Sequence, residues 1–241
     1  PQSKNKLAKQ FIDFGGWCLL EKTLLRIKVS TFDYPIISTN KKYLNQVKKY
    51  LAKVRIKKYR IVLEPSKRNT APAILAASLI KEIPNEQPLM FFAADHLIEK
   101  INILNKKIIA NTQNLTNQNI FIFGIKPTFP SSDYGYFLTK KNKRNINTVS
   151  QFIEKPNLNK AKQVIKKNGY WNCGMFFLRK DSLIHNFKKQ QPKIFKNCLT
   201  AVLKAKFKNN TYYLNKEAFN KVTSKSFDYA ILEKIKKINA I

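Results

Sequence analysis

The chain has 241 residues, 44% of them hydrophobic, and a formal net charge of +32. It is long enough to bury a sizeable core, and one domain of α/β size is the default expectation. It has no run of about 18 apolar residues, which argues against a transmembrane helix, and the opening PQSKNKLAKQF lacks the apolar segment of a signal peptide. A cytoplasmic location is therefore expected.

The cysteines and the basic charge each exclude a class of site. Cys18, Cys173 and Cys198 are far apart, match no zinc spacing and are accompanied by two histidines in total, so reduced thiols are expected rather than a metal site. Only six of the 46 basic residues are arginine, the better reader of base edges, and the lysines are spread along the chain. The charge thus predicts nonspecific attraction to polyanions and no specific nucleic-acid partner.

Helical and strand-like patterns alternate along the first half of the chain, which indicates a sheet built from βαβ units. In one helix, for example, Leu44, Val47, Leu51 and Val54 recur at helical spacing with lysines between them. The predicted elements are, in chain order, a helix over 19–29, a strand over 34–38, a helix over 41–54, a strand over 60–63, a helix over 71–83 and a strand over 88–94.

The second half begins with strands and is predicted to be largely helical from residue 182 onward. A strand over 119–125 precedes a hairpin with a basic tip, KKNKRN, expected to lie in water. The remaining predicted elements are the returning strand over 149–154, a short helix, the compact apolar run around 171–176, and helices over 183–187, 192–207 and 227–238.

The segment from 152 to 179 has the composition of a sugar-phosphate site. Glu154 and Lys155 end a strand, and after the short helix come Asn172 and Gly174 between apolar residues. A carboxylate and an amide suit sugar hydroxyls, an ammonium suits a phosphate, and glycine lets the backbone approach a ligand.

Two aspartates are candidates for metal binding. Asp95 follows a hydrophobic strand, and ligands of open α/β sheets bind beyond the carboxyl ends of strands. Mg²⁺ prefers one or two carboxylates plus substrate phosphates. Asp228 is a possible second ligand at the start of a helix, where Glu233 is expected to face elsewhere. Helix capping is the alternative role for either aspartate.

The loop after the strand over 60–63 could hold a base edge or a phosphate before a helix N-terminus. It contains Glu64, Arg68, Asn69 and Thr70. Ordinary helix capping explains the same residues equally well.

A family resemblance joins these separate signals. The chain contains, in order, LAKQFIDF with LLEKTLLRI, LEPSKRNTAPAI, AADH, FGIKPTFPSSDYGYF, FIEKP with YWNCGMF, and FDYAILEK. Together these segments resemble bacterial mannose-1-phosphate guanylyltransferases (GDP-mannose pyrophosphorylases) over nearly the whole chain. The resemblance implies a Rossmann-like nucleotidyltransferase fold of the glycosyltransferase-A type, with a mixed, mainly parallel central sheet flanked by helices.

The resemblance also implies a reaction, partners and residue roles. The reaction is GTP plus mannose 1-phosphate giving GDP-mannose and pyrophosphate, with Mg²⁺ as cofactor and a homodimer as the possible assembly. The implied catalytic residues are Lys9, Asp95 and Lys155, and the metal ligands are Asp95 and Asp228. The implied nucleotide-binding residues are Glu64, Arg68, Asn69, Thr70 and Ala94. The implied sugar-phosphate residues are Gly135, Glu154, Lys155 and Asn172.

Some family features are missing or altered. The glycine-rich nucleotide loop and the closing C-terminal segment are absent from residues 1–241, so we expect a single domain that is inactive or weakly active alone. Cys173 replaces the usual Ser, Ala93 the usual Pro, and Asp133 the usual Gly. Two alternatives stay open: another sugar-1-phosphate nucleotidyltransferase, and a catalytically inactive basic protein that binds polyanions.

Overall fold

The structure is a computed structural model that describes residues 8–141 and 146–241. Most of the predicted basic hairpin tip, residues 142–145, lies outside the described residues. The helices are α1 (Leu19–Ile27), α2 (Leu44–Lys53), α3 (Thr70–Ser78), α4 (Ile101–Thr112), α5 (Leu158–Lys166), α6 (Lys180–Gln190), α7 (Pro192–Leu203), α8 (Lys216–Asn220) and α9 (Phe227–Ala230). The strands are β1 (Ile36–Asn40), β2 (Arg60–Glu64), β3 (Pro88–Phe91), β4 (Ile120–Ile125), β5 (Tyr136–Lys141), β6 (Asn147–Ile153), β7 (Tyr170–Arg179), β8 (Lys206–Lys208), β9 (Thr211–Tyr213) and β10 (Ile238–Ala240).

The strands form two mixed sheets, with the orders β1-β2-β9-β8 and β3-β7-β4-β10-β6-β5, and β7 also pairs with β5. The predicted α/β class with mixed sheets flanked by helices is confirmed. The structure differs from the predicted mainly parallel central sheet, because the ten-residue β7 runs antiparallel to β3, β4 and β5. Parallel pairing joins β1 to β2, β2 to β9 and β4 to β10.

The apolar patterns of the first half place its helices as predicted. Val47 and Leu51 of α2 are buried in a cluster with Ile61 and Leu63 of β2, so the lysine-rich face of α2 is turned away from that cluster. Helix α3 is apolar on several sides, and it packs against β1, β2, α7 and α9. The packing of α3 against α9 brings the loop before α3 close to the C-terminal part of the chain.

Two predicted C-terminal helices extend too far, and tertiary pairing explains both errors. The helix predicted over 192–207 ends at Leu203, because β8 and β9 form a hairpin. Its turn residues, Asn209 and Asn210, have φ of 49° and 59°, a backbone that asparagine tolerates and that two-residue hairpins favour. The prediction of a helix over 227–238 is wrong after α9.

After α9 the chain forms a short 3-10 helix, Leu232–Lys234, and then enters the sheet. Strand β10 lies between β4 and β6, parallel to the first and antiparallel to the second. Ile238 and Ala240 are buried there. The pairing of β10 with two neighbouring strands therefore determines the structure of this segment, although its apolar residues have helical spacing.

Candidate functional site

A cavity of about 560 Å³ is lined by three segments that are distant in sequence. Asn69 and Thr70 come from the start of α3, and Glu154 and Lys155 come from the turn after β6. The third segment surrounds α9, and its lining residues are Ser224, Lys225, Ser226, Asp228, Tyr229, Glu233 and Lys234. The fold therefore brings residues predicted for the nucleotide and for the sugar phosphate into the lining of one cavity.

The predicted sugar-phosphate residues form one cluster beside this cavity. The backbone N–H of Asn172 donates to the carbonyl of Gly135 at 2.8 Å, and its side-chain amide donates to Asp228 Oδ1 at 2.7 Å. A β-carbon at Gly135 would lie 2.4 Å from Glu154 Oε2 and 3.5 Å from the β-carbon of Asn172. Gly135 thus leaves the space that the Glu154 carboxylate occupies.

The cluster has an unusual electrostatic character. Burial raises the pKa of Glu154 to about 7, the nearby Asp228 adds to this, and Lys155 opposes it. Burial also raises the pKa of Asp228, and its hydrogen bonds, including the one from Asn172, partly offset that. At neutral pH, the Glu154 carboxyl is therefore available in both protonation states, so it can either donate or accept a hydrogen bond from a hydroxyl.

Two cavity residues have a backbone conformation that side chains rarely adopt. Asn69 has φ of 67° and Lys155 has φ of 47°. Such residues persist where the surrounding structure holds them, and they concentrate at functional sites. The positive φ of Lys155 comes directly after Glu154 and turns the chain out of β6 at the cavity wall.

The start of α3 and the loop before it are tied to the start of α9 and the segment that precedes it. Thr70 Oγ1 accepts a hydrogen bond from the Phe227 backbone at 2.9 Å. Arg68 donates to the carbonyl of Asn220 at 2.6 Å, and the Arg68 carbonyl accepts from the backbone N–H of Lys225 at 3.3 Å. Asn69 and Thr70 consequently have fixed positions at the cavity. The described hydrogen bonds of Arg68 instead go to Asn220 and Lys225 and form part of this connection.

Glu64 does not line the cavity. Its Oε1 accepts a hydrogen bond from Ser38 Oγ at 2.7 Å, and its backbone carbonyl accepts from Asn40 at 3.2 Å. Burial raises the pKa of Glu64, and the bond from Ser38 works against this rise. Glu64 thus links the ends of the parallel strands β1 and β2.

Lys9, Ala94 and Asp95 also lie outside the cavity lining. Lys9 is exposed in a short 3-10 helix, and Ala94 packs against the apolar cluster around α1 and α2. The Asp95 side chain is 44% exposed, and its Oδ1 lies 3.9 Å from His96 Nε2. Within 8–141 and 146–241, no group of three or more His, Cys, Asp or Glu residues is arranged to hold a metal ion.

The sequence reasoning missed several lining residues. The expectation that Glu233 faces elsewhere is wrong, because α9 ends at Ala230 and the following 3-10 turn directs Glu233 and Lys234 to the cavity. Both residues belong to the FDYAILEK segment, whose resemblance to the family motif could have indicated them. Nothing in the sequence indicated Lys225, since it is one lysine among forty.

Comparisons with known proteins assign the family. The family model described as Nucleotidyl transferase matches residues 4–223. The chain belongs to the nucleotidyl transferase family. This assignment agrees with the α/β fold and with a polar cavity lined by lysines and carboxylates.

Individual relatives extend the comparison. The chain is 30% identical to the alginate biosynthesis protein AlgA of Pseudomonas fluorescens, over 97% of this chain and 50% of that protein. It is 32% identical to a mannose-1-phosphate guanylyltransferase of Escherichia coli, over 98% of this chain and 53% of that protein. These matches confirm the predicted resemblance, and the chain spans about half the length of these curated relatives.

A solved structure also matches most of the chain. A crystal structure described as mannose-6-phosphate isomerase from Helicobacter pylori has a TM-score of 0.84 and 27% identity, covering 97% of this chain and 91% of that one. The described part of the chain contains no helix with the length and apolar character needed to cross a membrane.

Proposed function

We propose that the chain takes part in transfer of GMP from GTP to mannose 1-phosphate, which gives GDP-mannose and pyrophosphate. The observation that carries this proposal is the cluster of Gly135, Glu154, Asn172 and Asp228 beside a cavity that Lys155 also lines. The name of the Escherichia coli relative supports the choice of substrates.

The cluster has the groups that a sugar phosphate requires. Glu154 and Asn172 bind sugar hydroxyls, and Lys155 binds the phosphate as a point charge. Lys225 and Lys234 line the same cavity and add positive charge where substrate phosphates collect. Asn69 and Thr70 also line this cavity, where they contact the nucleotide.

The chemistry requires little covalent work from the protein. A phosphate oxygen of mannose 1-phosphate attacks the α-phosphorus of GTP in line, and pyrophosphate leaves. Most of the catalytic effect comes from holding the two substrates in this geometry and neutralising their charge. Lys9 and Lys155 serve the second purpose, and Glu64, Arg68 and Ala94 shape the nucleotide side.

The carboxylates present fit Mg²⁺, which binds proteins through one or two carboxylates and completes its shell with water and substrate phosphates. The Asp95 side chain is 44% exposed and Asp228 lines the cavity, so both carboxylates are accessible to a ligand. We propose these two residues as the metal ligands. When bound, the ion supplies charge neutralisation at the triphosphate.

Binding of mannose 1-phosphate by the 241-residue chain tests the proposal. Isothermal titration calorimetry should detect binding of mannose 1-phosphate, and Glu154→Gln should weaken this binding about 10-fold or more, because a hydrogen bond to a charged group is lost. The matched control is Glu99→Gln, the same change at an exposed residue outside the cavity lining. Equal affinity of the wild type for mannose 1-phosphate and inorganic phosphate would contradict a sugar site.

A second experiment compares the reactions that the relatives' names suggest. The chain is incubated with Mg²⁺, mannose 1-phosphate and each of GTP, dTTP, UTP and ATP, and pyrophosphate is measured. Preference for GTP supports the proposal, and preference for another nucleotide favours a different sugar nucleotidyltransferase. Conversion of mannose 6-phosphate to fructose 6-phosphate without pyrophosphate release would refute it.

A further inference from the structure

Arg26 is a buried cation beneath the loop that carries Asp95. The residue lies in α1 and is 1% exposed. One terminal nitrogen, Nη2, donates a hydrogen bond at 2.7 Å to the backbone carbonyl of His96, 70 residues away in sequence. Its guanidinium carbon lies 5.7 Å from the centre of the Phe92 ring, at the start of the same loop.

The remaining donors of Arg26 have no described acceptor. Nε and Nη1 are both buried without a hydrogen-bond partner in 8–141 and 146–241, and no ion pair of Arg26 is found among those residues. Burial accordingly lowers the pKa of the guanidinium. A buried charge without a carboxylate partner is destabilising, so an apolar side chain of similar length would be more stable if packing were its only role.

The loop that Arg26 contacts has no regular secondary structure. Residues 92–99 lie between β3 and α4 without helix or strand. The hydrogen bond to His96 and the contact with Phe92 fix this segment on both sides of Asp95. Phe92 in turn packs edge-on against Phe32, at 5.6 Å between ring centres.

We propose that Arg26 is a positioning residue that fixes the loop of residues 92–97 on α1 and thereby sets the position of the Asp95 carboxylate. The anchoring itself stands on the contacts of Arg26. Its consequence for Mg²⁺ rests on the proposed function, which makes Asp95 a metal ligand.

The test measures backbone order in the loop by ¹⁵N relaxation of the 241-residue chain. In Arg26→Met, the order parameters of residues 93–97 should fall from the rigid value of about 0.85 to below about 0.6. Arg26→Lys keeps a charged donor for the His96 carbonyl and should restore most of the order. Leu20→Ala is the control, because Leu20 is buried in α1 in the apolar cluster that Ala94 of the loop also contacts, so its truncation weakens this packing and leaves the hydrogen bond from Arg26 to the His96 carbonyl in place.

The outcomes separate anchoring from general destabilisation and from function. Unchanged order in Arg26→Met, or an equal loss in Leu20→Ala, would overturn the proposal. If Arg26→Met does not fold, the comparison is made with Arg26→Gln, which should lose less order than a variant without a donor, Arg26→Leu. Loss of loop order with unchanged Mg²⁺-dependent GTP binding supports the anchor and contradicts the metal role of Asp95.

Discussion

Replacing Gly135 with alanine should weaken sugar-phosphate binding while leaving the fold nearly as stable. The new β-carbon would lie 2.4 Å from Glu154 Oε2, so the carboxylate must move by about 1 Å to restore ordinary contact. The atom that moves is the end of a flexible side chain, and the backbone at Gly135 does not have the positive φ that would strain alanine. We therefore expect the free energy of unfolding to change by less than about 1 kcal/mol.

The effect on the site should be larger, because the displaced carboxylate no longer meets the sugar hydroxyl, and a lost hydrogen bond to a charged group costs about 1.5–3 kcal/mol of binding free energy. We expect the affinity for mannose 1-phosphate, measured by calorimetry, to fall by about 10- to 100-fold. Gly124→Ala is the matched control. Its β-carbon would lie 2.7 Å from the Phe137 ring and 3.1 Å from Tyr170, in the sheet rather than at Glu154.

The two alanine variants should show opposite behaviour. Gly124→Ala should lower the free energy of unfolding by about 1–3 kcal/mol through overpacking, with the affinity of the folded protein preserved. An unchanged affinity in Gly135→Ala would refute the assignment of Glu154 to the sugar phosphate. A parallel loss of stability and affinity in both variants would show that the glycines act only on the fold.

Three further changes test the electrostatics and the walls of the cavity. The raised pKa of Glu154, about 7, means that the folded protein holds a proton which the unfolded chain releases near pH 4.5, so its contribution to stability declines from pH 4.5 to 7. Melting temperatures should therefore fall over this range more in the wild type than in Glu154→Gln; parallel curves would contradict the raised pKa. Lys225→Met should weaken mannose 1-phosphate binding about 2- to 5-fold at low salt and less at high salt. Lys221→Met, at a residue outside the cavity lining, should leave the binding unchanged. Equal effects of the two changes would show that Lys225 does not belong to the site. Thr70→Val removes the acceptor for the Phe227 N–H and should lower the free energy of unfolding by about 1–2 kcal/mol in denaturant titration; no change would show that this bond adds no stability.

The sequence predicted those parts of the fold that local pattern decides. Helix α2 and strand β2 follow from apolar spacing and from a short β-branched run, and the structure has both. The pattern failed at β10, because Ile238 occupies a helical spacing after Ile231 and Ile235 while its partners, β4 and β6, lie about 90 to 120 residues earlier. Pairing over such a distance cannot be seen in a local window.

The candidate site likewise contains residues that the sequence indicates and residues that only the fold brings together. Glu154 and Asn172 could be selected from sequence, because a carboxylate and an amide lie close to glycine between apolar strands. The contact between Asn172 and Asp228 joins residues 56 positions apart, and it depends on the packing of α9 against β7, where the Phe227 ring lies 4.5 Å from the Phe176 ring. Lys225 enters the cavity through a backbone tie to Arg68 that no residue type reveals.

The contact with Asn172 also changes how Asp228 should be understood. A carboxylate that accepts a hydrogen bond from Asn172 and raises the pKa of Glu154 belongs to the sugar-phosphate cluster by geometry. Asp95 has neither contact and is more exposed, so the two proposed metal ligands have different surroundings.

Asp95→Asn should therefore abolish Mg²⁺-dependent GTP binding without affecting the binding of mannose 1-phosphate. Asp228→Asn should weaken mannose 1-phosphate binding even without Mg²⁺, because it changes the partner of Asn172. If Asp228→Asn altered only the metal-dependent step, Asp228 would be a metal ligand and its contact with Asn172 would only support it.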